Sequence, residues 1–264
     1  MQNRAGGESV GVEGKARIGI PVPTSNDLEY NAKCWPDYAA AVNDAGGEPV
    51  QLLLDGDLGT LRHDVEACSG FLLPGSPADV DPGAYGQLRE EGTAPLDAGR
   101  QICDRLLLEH VEKTGKPVLG ICFGLQYLNV LRGGTLIQNL QPVPVNHGAG
   151  ASVAVAHSVV VSTECLLGSL LSASEAPPVG EFRRLPVNSS HHQAIGIPAD
   201  GFAVTARSSQ DGVIEALEGK VGPAAVIGVQ WHPERSFGSS AASKALFIWL
   251  ISAAMDYSDQ AGAQ

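Results

Sequence analysis

Residues 117–124, Pro117-Val118-Leu119-Gly120-Ile121-Cys122-Phe123-Gly124, decide the fold. The first five make an apolar run of strand length, and Phe123 to about Arg132 reads as a helix that stops at Gly133-Gly134. An apolar strand that turns at once into a helix is a unit of a parallel sheet covered on both faces. Working outward toward the N-terminus, Asp97 to Thr114 places Ile102, Leu106, Leu107 and Val111 at helical spacing and ends at Gly115. Before it stand three further apolar runs: Arg17 to Val22, Pro49 to Leu54 and Ser69 to Leu73. A helix is expected from about Pro36 to Ala45, closed by Gly46-Gly47. Toward the C-terminus the pattern becomes β-rich, with Val153 to Val155, Val159 to Val161, Phe202 to Ala206 and Val213 to Ala216. Ala225 to Gln230 then returns to a buried strand, and a last helix runs from about Ser240 to Met255. The expectation is an α/β fold: an open, mostly parallel sheet flanked by helices, with an additional β-rich segment. Residues 1–15, with four glycines, read as a flexible tail, and no linker divides residues 16–264, so one domain is expected.

Gly120-Ile121-Cys122-Phe123-Gly124 has a nucleophile's residue between two spaced glycines, at a sharp strand-to-helix turn. The partial positive charge of the helix N-terminus favours a thiolate at 122, the reactive form of cysteine. Taken alone, the five residues read more readily as a small buried cysteine in a tight turn, the usual fate of a free cysteine. A thiolate needs a base, and the base an orienting group. The buried strand Val226 to Gln230 runs into Trp231-His232-Pro233-Glu234. Strand ends of a parallel sheet share one edge, so His232 is expected beside Cys122, with Glu234 holding the ring in its tautomer.

Composition narrows the alternatives. The 264 residues carry 17 Lys+Arg against 29 Asp+Glu, a net charge of −12, which argues against binding a nucleic-acid backbone. No apolar run reaches the roughly 18 residues of a membrane span. Hydrophobic residues at 44% against 17% charged give enough to bury a core without disulfides or metal. The five cysteines are far apart and odd in number, which reads as reduced thiols in the cytoplasm.

Cys122 in Gly-Ile-Cys-Phe-Gly-Leu-Gln, together with Gly-Val-Gln-Trp-His232-Pro-Glu234, resembles the class I glutamine amidotransferase-like superfamily, whose sheet is flavodoxin-like. More narrowly the chain is similar to the peptidase C26 branch of γ-glutamyl hydrolases. The segments that carry this are Leu73 to Pro82 with Tyr85-Gly86, Asp97 with Arg100, Val187 to Gln193, and Ser209-Gln210-Asp211-Gly212. Two positions depart from the branch. Phe123 stands where Arg often follows the nucleophile, and Gln101 stands where Asp often follows Arg100.

The resemblance implies a cysteine-dependent hydrolase that cleaves small γ-glutamyl amides through a Cys122 thioester. His232 is base then acid, Glu234 orients it, and the Gly75 and Phe123 backbone amides form the oxyanion hole. It also implies substrate contacts from Gln126, His192 and Gln193. From the residues alone Gln126 could simply pack on its helix, Pro74 to Pro77 could be a turn, and His191-His192-Gln193 a polar loop with no third metal ligand at suitable spacing. No metal or organic cofactor is expected; the partner is a small γ-glutamyl substrate, and a homodimer is compatible with the sequence. Two other functions stay open: a glutaminase subunit feeding ammonia to a separate synthetase, and a silent binding protein on the same fold.

Overall fold

The structure is a computed structural model and describes residues 14–54, 57–140 and 144–262. The tail expected at 1–15 lies outside the described residues except for Gly14 and Lys15. The chain opens with β1 (Arg17–Pro21), α1 (Leu28–Asp44), β2 (Glu48–Leu52), α2 (Leu58–Glu66) and β3 (Gly70–Leu73). After a 3-10 turn at Pro82–Tyr85 come α3 (Ala98–Thr114), β4 (Val118–Ile121) and α4 (Phe123–Leu131). The β-rich stretch supplies β5 (Leu136–Ile137), β6 (His157–Ser162), a short α5 (Leu166–Leu170), β7 (Pro178–Val179), β8 (Phe182–Val187), β9 (Ala194–Ile195), β10 (Phe202–Ser208) and β11 (Ile214–Val221). The chain closes with β12 (Ala224–Val229), a 3-10 turn at Pro233–Ser236, and α6 (Ala241–Gly262).

The twelve strands among the described residues join one sheet, in the order β2-β1-β3-β4-β12-β11-β10-β6-β8-β7, with β9 beside β11 and β5 beside β9. From β2 to β12 neighbouring strands are parallel. Beyond β12 every pairing is antiparallel. The expected β-rich segment is therefore a continuation of the parallel sheet. Apolar strand residues feed two cores, one per face. Ile18, Ile20, Leu119 and Ile227 pack with α1 and α6, through Val42, Phe247 and Leu250. Phe71, Leu73, Val118 and Val226 pack with α2, α3 and α4, through Val65, Leu107 and Leu128. Burying each such side chain is worth about 1.5–3 kcal/mol.

Several sequence expectations shift. The first helix begins eight residues before Pro36, because Asp27 caps it by accepting from the Tyr30 N–H at 2.8 Å, and Pro36 sits inside it. On α3 the inward face carries Cys103, Leu107, Leu108 and Val111, whereas Ile102 is 56% exposed. Arg100 and Asp104 occupy that face too, as a buried pair at 2.9 Å, so apolar spacing alone misplaces the stripe. Val153 to Val155 is not a strand but irregular loop with a bend at Ala154, and Val155 is 59% exposed. Strand β12 runs parallel to β4 with Val229 opposite Ile121. The residues that follow both strands therefore leave the sheet at one edge.

Candidate active site

Cys122 stands at that edge with φ 51° and ψ −107°, the one non-glycine residue of positive φ among the described residues. Holding a cysteine there costs about 1–3 kcal/mol, supplied by the packing around the turn. A Cβ on Gly124 would lie 2.2 Å from the Leu73 carbonyl oxygen, and one on Gly120 3.0 Å from the Leu125 nitrogen. The two glycines are thus required by close approach on either side of the elbow. The Cys122 N–H donates to the Val229 carbonyl at 2.8 Å, tying the elbow to β12.

Two residues beyond β12's last hydrogen-bonded stretch, Trp231 and His232 turn over the elbow. Asn188 holds His232 from both sides: its Nδ2–H donates to the His232 carbonyl at 2.8 Å, and its Oδ1 accepts the His232 N–H at 2.9 Å. His232 Nδ1 is 2.7 Å from Glu234 Oε1, and the other side of the ring lies by Cys122: a Cβ on Gly75 would be 2.9 Å from His232 Cε1 and 3.6 Å from Cys122 Cβ. Burial would push the His232 pKa down, but the Glu234 carboxylate and then Cys122 outweigh it and carry it up to about 9. The imidazole thus holds its proton at neutral pH, between a carboxylate and a sulfur.

A small cleft of about 130 Å³ opens on Cys122, bordered by Ser76, Asp79, Gln126, His192 and Gln193. It brings together all three residues expected at a substrate site. The Gln126 amide donates to Gln193 O and Gln230 Oε1, both at 3.1 Å. His192 Nε2 lies 3.0 Å from Asp79 Oδ2, which raises the His192 pKa. Buried Gln193 keeps Oε1 without a partner.

The expected oxyanion donors are placed differently from each other. Phe123 is the first residue of α4, so its N–H has no acceptor within the helix. The Gly75 N–H, in contrast, donates to the Tyr38 hydroxyl at 3.1 Å. Tyr38 is fully buried and its pKa is pushed well up, chiefly by that burial. The Phe123 side chain does not reach the cleft; it lies under the Arg100 guanidinium, 4.9 Å from the ring centroid, and stacks on Tyr127. Arg100 in turn donates to the Pro74 carbonyl at 2.7 Å and the Pro23 carbonyl at 2.9 Å. Its carboxylate partner is Asp104, one turn along the helix.

Tyr38, Asp79 and Asn188 were not singled out by sequence as site residues. Asp79 and Asn188 lie inside the two loop motifs that carried the resemblance, so position in a motif was their only signal. Tyr38 gave none, being one apolar-face residue of α1.

The sequence matches the peptidase C26 family over residues 10–234. It is 34% identical to the Gamma-glutamyl-gamma-aminobutyrate hydrolase PuuD of Escherichia coli K12, over 82% of this chain and 84% of that one. It is 40% identical to "Putative glutamine amidotransferase Rv2859c" of Mycobacterium tuberculosis, over 80% of this chain; the match spans 65% of that relative's length. A solved structure described as a "putative gmp synthase subunit a protein" from Thermoplasma acidophilum superposes with a TM-score of 0.64, covering 94% of this chain and 98% of that one, at 14% identity, a likeness of fold. Elbow, sheet and sequence agree: the chain belongs to the peptidase C26 family.

Proposed function

We propose that the protein hydrolyses the γ-glutamyl amide bond of small molecules, with Cys122, His232 and Glu234 as its catalytic residues. One observation carries this: a cysteine in strained backbone beside His232, one ring nitrogen of which is 2.7 Å from Glu234. Cys122 sulfur attacks the δ-carbonyl of the γ-glutamyl group. The oxyanion forms against the Phe123 N–H and the Gly75 side of the elbow, where the Tyr38 hydroxyl gives up the Gly75 N–H or donates its own proton. His232 passes its proton to the leaving amine, and the amine departs. Water, deprotonated by His232, then attacks the glutamyl thioester and releases glutamate and the free thiol. The Asp79 carboxylate and the Gln126 and Gln193 amides suit the ammonium and carboxylate of the glutamyl headgroup.

The cleft is small against the roughly 300–1,000 Å³ of drug-sized sites, which suits a glutamyl headgroup with its amine leaving toward solvent. A relative whose name includes γ-glutamyl-γ-aminobutyrate hydrolase supports the substrate class. Hydrolysis measured across a panel of γ-glutamyl amines, glutamine included, tests the reading. Turnover of γ-glutamyl amines by the isolated chain is expected; glutaminase activity that appears only with a synthetase added would replace it with the ammonia-donor role. Cys122→Ala is expected to bind substrate without turnover.

A further inference from the structure

Beneath the cleft lies a second polar cluster that the amide chemistry does not use. Four segments build it: His147 from the loop before β6, His157 at the start of β6, His191 from the loop before β9, and Glu215 on β11. All four side chains are at most 2% exposed. Three imidazole nitrogens converge on one carboxylate oxygen. Glu215 Oε1 is 3.0 Å from His157 Nε2, 3.3 Å from His147 Nδ1 and 3.7 Å from His191 Nε2. The donors of His147, His157 and Glu215 all lie within 4.8 Å of one another.

Hydrogen bonding alone accounts poorly for this arrangement. His147 Nε2 is 3.0 Å from Asp211 Oδ2 and its Nδ1 3.3 Å from Glu215 Oε1, so one imidazole stands between two carboxylates. His191 Nδ1 is 2.8 Å from the Gln193 carbonyl, so its proton belongs there and Nε2 turns a lone pair inward. His147 Nδ1, His157 Nδ1, His191 Nε2 and Glu215 Oε2 are buried without a hydrogen-bond partner, so His157 is the one imidazole of the three with no outer partner. Protons alone can place His147 as an imidazolium between Asp211 and Glu215, yet they leave His191 Nε2, 3.7 Å from Glu215 Oε1, without a partner. A cation among these donors gives it one. Ligating imidazoles characteristically give their outer N–H to a carboxylate or a backbone carbonyl, and Asp211 and Gln193 O stand in those places. With zinc-to-ligand distances of about 2.0–2.2 Å, neighbouring tetrahedral donors stand roughly 3.3 Å apart, within the 3.0–3.7 Å that separate Glu215 Oε1 from the three imidazole nitrogens.

We propose that His147, His157, His191 and Glu215 form a zinc site, with Asp211 and the Gln193 carbonyl as its outer partners. The donor set is closed, three imidazoles and one carboxylate, and so structural in kind. It would pin the 188–193 loop, which grips His232 through Asn188 and presents His192 and Gln193 to the cleft. The ligands come from positions 147, 157, 191 and 215, which is why no sequence spacing shows them.

Chelator-stripped full-length protein, titrated with zinc against a chromophoric chelator, tests this independently of the amidase reading. One zinc per chain is expected, with a rise in thermal midpoint on binding. Cys122→Ser is expected to bind zinc as the parent does. Asp211→Asn is expected to bind about 10–100-fold more weakly, and His157→Ala and Glu215→Gln more weakly still. Cobalt(II) in the unsubstituted chain gives visible bands of a four-coordinate nitrogen and oxygen site without thiolate charge transfer, a readout that needs no variant to fold. The proposal is overturned if the parent takes up no stoichiometric zinc, if cobalt shows a thiolate band, or if folded His157→Ala and Glu215→Gln bind zinc undiminished.

Discussion

A Cβ on Gly75 would lie 2.9 Å from His232 Cε1 and 3.2 Å from the Tyr38 hydroxyl, against side chains that are themselves pinned. Gly75→Ala is therefore expected to displace the imidazole and lower kcat by about 10²–10³-fold, the cost of a lost oxyanion donor. Steady-state kinetics with an unchanged unfolding midpoint would separate this from damage to the fold. The proton on His232 sets the pH behaviour. Its folded pKa of about 9 stands above the ordinary 6.5 because Glu234 and Cys122 outweigh burial. The leaving amine needs that proton, so kcat/KM should fall on the basic side with an apparent pKa near 9, and Glu234→Gln should move that limb downward. The stabilisation follows the same proton. It is fully present below 6.5 and fades as pH rises through 9, so the urea midpoint should drop across that interval and do so less in Glu234→Gln. At this scale the sequence was most legible. Cys122, His232 and Glu234 each sit where a strand ends beside small or rigid residues, and Gly-x-Cys-x-Gly records a steric need that Leu73 and Leu125 enforce. Tyr38 was not legible, since its hydroxyl matters only through Gly75, 37 positions away.

Among the elements, α3 does more than cover the sheet. Arg100, without any exposed surface, ties α3 to the Pro74 and Pro23 carbonyls and lies on Phe123, so one guanidinium supports both sides of the proposed oxyanion site. Arg100→Met leaves Asp104 buried and unpaired, at an expected cost of about 3–5 kcal/mol. Adding Asp104→Leu should restore most of that stability, because a buried pair replaced whole by apolar groups is often neutral. It should not restore kcat, since the Pro74-Gly75 carbonyls stay ungripped. Urea unfolding and kinetics on the single and double variants measure the two effects separately, and recovery of kcat with stability would show that Arg100 only fills space. The sequence marked α3 through Leu107 and Val111 but misjudged its face, because periodicity counts apolar residues and cannot see a charged pair satisfied inside. Helix α2 escaped notice since only Leu61 and Val65 of its nine residues are buried.

Across the whole molecule, parallel strands bring chemistry to one edge and antiparallel strands carry the supporting loops. Strand β12 belongs to both halves, which is how His232 meets both Cys122 and Asn188. Apolar runs revealed the strands, but the pairing of β6 with β8 and β10 follows from long-range register that no local pattern contains. The five free cysteines are spread through this frame. Burial pushes the thiols of Cys68 and Cys165 up to about 11 and Cys103 higher still. A thiol reagent at neutral pH should therefore modify Cys122 ahead of those three, as peptide mapping would read. The most direct measurement is mass spectrometry of the acid-quenched protein during turnover of a γ-glutamyl amide. The account predicts a single glutamyl adduct, mapped to Cys122 and absent from Cys122→Ala. Sustained hydrolysis by Cys122→Ala, with no adduct on the parent, would contradict it.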